Sequence, residues 1–560
     1  MAESTEKKSS QVTLAAVLGT LVFGLFSTRG GVPGENSKAG PDAMPVADAA
    51  ARAGGTGGSS TLAPLEEVLL GRQLDPSGVD VGPLGGLIER WKETFGGQSP
   101  RIHCLVALVP DPASSSVSFR FDETLDSIER AAVSHQFVLE RWRFPWQMKA
   151  AAGRLFEVGV RWSEHRTPPD RPSPGAGVPG PAPGEPGLLV FRKVLKATSK
   201  PELPVELLAV FLVAESPTHG VDRPALARSL GLIDQIHGAT SGDDAARSRT
   251  VRVFGPSFSG SMPSLRDALK EWPARGDARP ITLDIVSGAA SAFEKERFQK
   301  DLDSPTREVR FSSAVHRTNT TCDAVLQYLS STGSLKAGED VVILSELNTV
   351  TGELTNAEKR LGHRIINLRY SLHIGDIRRV YESQGLLKGG GTEALRAALE
   401  IRQQAEDGGK ARDILPDQTP GQTAISDNRT LTQALKYLDD GQFRKVGIIA
   451  TDPHDAIFLA RLIDRYCPDA TVFILGSELM LMDPEVIADM RGVIVGSTYP
   501  LFPLNHVWTG SDDSSRATTF PSQHAQGSYN AAVLLLDRML VGDEGNVAGK
   551  GLLEYATPQG

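Results

Sequence analysis

Short apolar runs recur along this chain, separated by stretches with helical apolar spacing. That alternation restricts the fold more than any other feature of the sequence. The runs read as strands at 102–110, 137–139, 188–194, 207–213, 251–254, 281–286, 309–312, 341–344, 364–368, 446–450, 471–475 and 492–495. Amphipathic spacing marks helices at 123–137, 224–236, 264–272, 322–329, 455–466 and 528–540. Continuous apolar strands alternating with such helices mean an α/β fold with parallel sheets. The units outnumber what one sheet usually takes, so two Rossmann-like lobes are expected.

The N-terminus has a different character. Lys7 and Lys8 precede an apolar run from Val12 to Phe26, and Arg29 follows. No small-x-small cleavage site comes after the run, so it reads as an uncleaved signal anchor spanning residues 12–31 of a segment 1–31. The flanking charges put the N-terminus in the cytoplasm and the bulk of the chain outside it, on the periplasmic or extracellular side of the inner (plasma) membrane. Residues 32–98 are rich in Gly, Ala, Ser and Pro and read as a flexible linker, with a short helix within 62–91. Lobe 1 is assigned to 99–337 plus 515–560, and lobe 2 to 338–514. Two inserts interrupt the pattern: a Pro/Gly-rich stretch at 167–187 and a polar one at 388–428, with an amphipathic helix at 394–404.

Composition removes some functions. The formal net charge is −9, which gives no bulk neutralisation of phosphates and argues against a nucleic-acid partner. The three cysteines, Cys104, Cys322 and Cys467, form no CxxC pair and no metal-ligand spacing, so they read as buried thiols. No GxSxG, HExxH or Walker A motif is present. No cofactor and no metal are expected.

Ligands of open α/β sheets sit beyond the carboxyl ends of strands. Five such ends continue into small or polar residues. Gly255-Pro256-Ser257-Phe258-Ser259-Gly260-Ser261 follows one strand, and its hydroxyls and helix N–H groups suit a carboxylate or phosphate. One serine would be enough for a simple helix cap. The other four ends carry Ser287 to Ser291, Ser345 to Glu353 with Asn348 and Thr349, Thr451 to Asp455 with Asp452, and Gly496 to Pro500 with Thr498 and Tyr499.

These residues carry a resemblance. The strand followed by Gly255-Pro256-x-x-Ser259-Gly260 and a helix resembles the first-lobe signature of type I periplasmic binding proteins. That family includes branched-chain amino-acid-binding proteins and the ligand domains of natriuretic-type and glutamate-type receptors. Val342-Ile343-Leu344-Ser345-Glu346-x-x-Thr349-x-x-Gly352 is similar to the strand opening their second lobe. Lys445 to Ala450 with Asp455-Ala456-x-Phe458-Leu459, and the helix holding Tyr529 to Leu536, are similar to later elements. The resemblance covers roughly residues 100–545. It implies two lobes joined by hinge crossovers and closing on a small polar molecule, an amino acid or similar, with a role in transport or signalling and a membrane-protein partner. By position it implies Ser257, Ser259, Ser287, Ser291 and Thr349 as ligand contacts; the strand ends add Gly260, Ser261, Asn348, Asp452, Thr498 and Tyr499. The family often has Tyr where Thr351 stands.

Two alternatives compete with a non-enzymatic binding protein. Asp452, His454 and Asp455 could serve a hydrolase or a metal-dependent enzyme, or Asp452 could simply cap a helix with Pro453 in its first turn. The chain could also be a scaffold for protein partners, its cleft plugged by Trp508 or Phe502. His363, His373, His506 and His524 read as surface or structural histidines.

Overall fold

The apolar runs become strands because both of their faces are covered. In β1 (Arg101–Pro110), Cys104, Val106 and Leu108 enter one core while Leu105, Ala107 and Val109 enter another on the opposite face. A strand buried on both sides is the reason for a continuous rather than an alternating apolar run. The computed structural model describes residues 101–113, 115, 117–146, 184–194, 205–240, 249–272, 280–290, 295–347, 359–383, 420–502 and 518–540. The expected anchor at 12–31, the linker at 32–98, nearly all of the 167–187 insert and the helix at 394–404 lie outside them.

The first sheet contains β1, β2 (Phe137–Arg143), β3 (Gly187–Lys193), β4 (Glu206–Ser216), the short β5 (Gly220–Val221), β6 (Arg249–Phe254), β7 (Ile281–Ser287) and β8 (Arg307–Ser313). Its order is β2-β3-β4-β1-β6-β7-β8, with β5 beside β4. From β4 to β8 the strands are parallel, whereas β2, β3 and β5 pair antiparallel. An antiparallel return needs no crossover helix, and β3 therefore adds beside β4 without one.

The second sheet contains β9 (Val341–Glu346), β10 (Lys359–Arg360), β11 (His363–Tyr370), β12 (Lys445–Ile449), β13 (Thr471–Leu475) and β14 (Ile494–Gly496). Its order is β10-β11-β9-β12-β13-β14, parallel except for β10. Within each parallel set the second strand in the chain lies outside the first, and the third lies on the first one's other side. In both sheets the strand order therefore reverses once, at β1/β6 and at β9/β12, the kind of position where doubly wound sheets hold ligands.

Helices cover the sheets: α1 (Phe119–Ser134), α2 (Arg223–Thr240), α3 (Met262–Glu271), α4 (Lys295–Leu302), α5 (Thr318–Ser331), α6 (Ile374–Ser383), α7 (Pro420–Asp440), α8 (Pro453–Tyr466), the short α9 (Pro484–Asp489) and α10 (Gln523–Leu540). The last helix packs along α1 and against β7 of the first sheet. Helix α5 behaves differently from the sequence reading, which assigned everything through residue 337 to lobe 1. Its apolar side, Cys322, Val325, Leu326 and Leu329, packs with Ile343, Ile365 and Phe473 of the second sheet. The chain thus passes to the second sheet at 314–317, before α5, and returns near 497–499, where Tyr499 joins the first sheet's core with Phe520. Helices α6 and α7 were not anticipated, because their stretches look polar. Among the described residues no helix is long and apolar enough to cross a membrane.

One close approach fixes α10. A Cβ on Gly527 would lie 2.1 Å from the main-chain oxygen of Gly288, and one on Gly288 would lie 2.4 Å from the Cα of Ser528. Only glycine at both positions lets the helix rest on the loop after β7.

Candidate functional site

The loops at the carboxyl ends of β6, β7, β12 and β13 face one another across a cleft with about 1010 Å³ of empty space, including its open mouth. The first-sheet side contributes Arg120, Ser257 to Gly260, Gly288 and Ala289; the second contributes Thr318, Ile449 to Thr451 and Leu475 to Glu478. Gln523 and His524, at the start of α10, line it as well.

Each wall is pinned from behind by a buried glutamate. At the end of β4, Glu215 accepts a hydrogen bond from the Ser257 amide at 2.5 Å. Burial pushes its carboxyl up to about 7, although the Ser257 amide and nearby serine hydroxyls oppose that. At the end of β9, Glu346 accepts from the amide of Thr451 at 2.8 Å and from its hydroxyl at 2.5 Å. Burial raises Glu346 as well, against the pull of the Thr451 hydrogen bonds.

Arg120 spans the cleft. It sits in the first turn of α1, the helix that follows β1, and Nη2 donates to the main-chain oxygen of Thr451 at 2.8 Å. The same nitrogen is 3.4 Å from Oε1 of Glu478. Beside it, the rings of Phe119 and His454 meet edge to face with centroids 6.2 Å apart. A second seam holds the start of α10 to the loop after β13: the Leu479 amide donates to Pro521 oxygen at 2.7 Å and the Gln523 amide to Ser477 oxygen at 2.9 Å.

His524, read from the sequence as a surface or structural histidine, is buried. Burial, with help from Arg120, holds its ring well below the usual imidazole range, so it is neutral. The Thr124 hydroxyl donates to the Arg120 oxygen at 2.7 Å, which leaves Thr124 Oγ1 as acceptor for His524 Nε2 at 3.4 Å. Nε2 therefore carries the proton. Nδ1 is then a bare acceptor, buried without a hydrogen-bond partner.

Of the residues singled out in the sequence, Ser257, Ser259 and Gly260 line the cleft. Ser257 and Ser261 are buried, and the carboxylate their loop meets is the chain's own Glu215, not that of a ligand. The Ser261 hydroxyl donates to Ser216 oxygen at 3.3 Å. Ser287 is fully buried; its hydroxyl donates to Pro256 oxygen at 2.7 Å and accepts from the Ala290 amide at 2.8 Å, so it shapes two loops. Tyr499 exchanges hydrogen bonds with the main chain of Phe520 at 2.9 and 2.7 Å, and Thr498 donates its amide to Gln523; neither lines the cleft. Ser291, Asn348, Thr349 and Thr351 lie outside the described residues.

Asp452 caps α8, accepting from the amide of His454 at 2.9 Å and from its Nδ1 at 2.8 Å. Burial works against this carboxylate, but His454 and Arg378 outweigh it and hold Asp452 below the usual range. Arg378 also bonds Asp455 at 2.7 Å. Half of the His454 side chain faces solvent. The cluster is a cap and an ion pair outside the cleft lining. Among the described residues no group of three or more His, Cys, Asp or Glu side chains is placed to hold a metal. Phe502 is exposed and does not enter the cleft; Trp508 lies outside the described residues.

Sequence reasoning missed Arg120, Thr318, Ser477, Glu478, Gln523 and His524 as cleft residues. Ser477 and Glu478 follow β13 and obey the strand-end rule that found the others. No protein-family model matches the chain, and no curated protein or solved structure matches it at a significant level.

Proposed function

We propose that this chain is a two-lobed ligand-binding module of the type I periplasmic-binding-protein kind, tethered to a membrane through residues 12–31. Each sheet with its helices is one lobe, and the links at 314–317 and 497–499 are the hinge. The lobes close on a small polar solute, and closure delivers or reports it to a membrane partner. One observation carries this reading: a single cleft is lined by strand-end loops from both parallel sheets, beside both points where strand order reverses. Hydroxyls of Ser259, Thr318 and Thr451 and the neutral ring of His524 suit hydrogen bonding to a polar, compact ligand. Arg120 and Glu478 are the arginine and the carboxyl among the lining residues.

A thermal-shift screen of the full chain against amino acids, sugars, nucleosides and small organic acids tests the reading. Binding to the folded form alone raises stability by mass action, about 2.7 kcal/mol at a hundredfold excess over Kd. At least one class is expected to raise Tm in a saturable way. A flat response to all four classes would count against a solute-binding role.

A further inference from the structure

Glu478 is a carboxyl held in the cleft with poor compensation. Its side chain is 13 % exposed, and its charged contact is Arg120 Nη2 at 3.4 Å. That nitrogen makes its shorter bond, 2.8 Å, to the neutral oxygen of Thr451. A buried ion pair offsets lost hydration only through close, well-formed bonds, and this one is long. Two more carboxyls face Glu478: Glu123 from α1 and Asp452 from the turn before α8. The same guanidinium also acts on Glu346, already bonded to Thr451, and on the neutral His524. One arginine thus serves several acids drawn from both lobes.

We propose that closing the two lobes takes up a proton at Glu478, so that the cleft closes more readily as pH falls. The proposal rests on the two-lobed reading above. When the lobes part, Glu478 loses Arg120 and the α1 wall and meets water, where an ordinary glutamate titrates near 4.5. In the closed arrangement burial pushes it up to about 8, with Arg120 pulling down and Glu123 and Asp452 pushing up. Between those values the closed form binds a proton from solvent that the open form releases. The closed-to-open ratio then falls as pH rises, by up to about tenfold per pH unit, until Glu478 is ionised in both forms above about 8. The step forms one O–H bond at the carboxyl and no other covalent change.

The test uses the full chain carrying Lys300→Cys and Lys436→Cys, exposed positions on α4 and α7, labelled with a donor–acceptor dye pair. The native thiols Cys104, Cys322 and Cys467 are buried and do not compete. Energy transfer is followed from roughly pH 5 to 9. The expected result is a pH-dependent interlobe distance that disappears in Glu478→Gln, which mimics the protonated form. Glu123→Gln removes a like charge and is expected to move the midpoint to lower pH. A distance that does not change with pH, or one that changes equally in Glu478→Gln, would overturn the proposal. Should Glu478→Gln fail to fold, an unshifted midpoint in Glu123→Gln would overturn it instead. The metabolite screen at one fixed pH is independent: a compound that raises Tm without any pH-dependent distance leaves the binding role standing and removes only the proton linkage.

Discussion

Arg120 donates to the main-chain oxygen of Thr451 at 2.8 Å, and Glu346 holds Thr451 from the other side through its amide and its hydroxyl. Arg120 follows the first strand of one sheet, and Thr451 follows the strand that lies across the reversal in the other. The bond therefore links the two places where each sheet's order turns. It joins the two sides of the cleft, as the α10 seam does from the other end.

Removing that link should loosen the packing across the cleft without unfolding either sheet. Arg120→Ala is expected to widen the distance between the two labels and to cost about 1.5–3 kcal/mol, the range for a hydrogen bond to a charged group. An unchanged distance would mean that the α10 seam alone sets the closure.

Glu215 gives a pH signature. Its folded value of about 7 lies above the 4.5 of an exposed glutamate, so the folded chain keeps a proton that the unfolded chain gives up. Its contribution is whole below about pH 4.5 and is lost as pH rises through 7, on the order of 3 kcal/mol in all. Urea titrations of the wild type and Glu215→Gln at pH 5 and at pH 8.5 should show the wild type losing more stability than the variant on going to high pH. Parallel losses would place the titrating group elsewhere.

Gly527→Ala drives a methyl group into Gly288 oxygen and toward the Val315 side chain. Overpacking of this kind costs about 1–3 kcal/mol, and backbone contact on this side puts the change at the upper end. Because α10 carries Gln523 and His524 into the cleft, the substitution should lower ligand affinity together with Tm. A Tm within a degree of wild type would show that the helix can shift freely.

Asp452→Ala removes a helix cap and a partner of Arg378. A stability loss of about 1–2 kcal/mol is expected, with ligand-induced thermal shifts kept. Loss of a hydrolytic turnover in this variant, with its fold intact, would instead revive the enzyme reading.

Much of the fold could be read from the chain, and the reasons are local. A strand buried on both faces, such as Leu105 to Val109, shows itself as an unbroken apolar run. The site was less legible because what matters there lies one or two residues past the obvious signal. Ending β4 at Val213 hid Glu215, which lies one residue before the end of an otherwise apolar strand, and Glu346 was read only as part of a polar strand end, not as the acceptor that holds Thr451. Beginning α1 at Glu123 hid Arg120 in its first turn. The Ser257 to Ser261 hydroxyls did mark an acceptor-seeking loop, but the acceptor proved to be Glu215, brought from a strand two places away in the sheet. No sequence spacing announces that pairing. The sequence left His524 open between a surface and a structural histidine, because the Gly527–Gly288 contact that draws its helix inward connects residues far apart in the chain.

The central claim, that this cleft receives a small polar ligand, is tested most directly by native mass spectrometry of the full chain and of Ser259→Trp with a compound that raises Tm. Ser259 lines the cleft without the buried bonds that tie down Ser257 and Ser287, so the indole fills the space and leaves the fold intact. The account predicts a one-to-one complex in the wild type and its loss in Ser259→Trp, with both chains melting at similar temperatures in the absence of the compound. Equal binding by the two chains would place the ligand elsewhere and contradict the account.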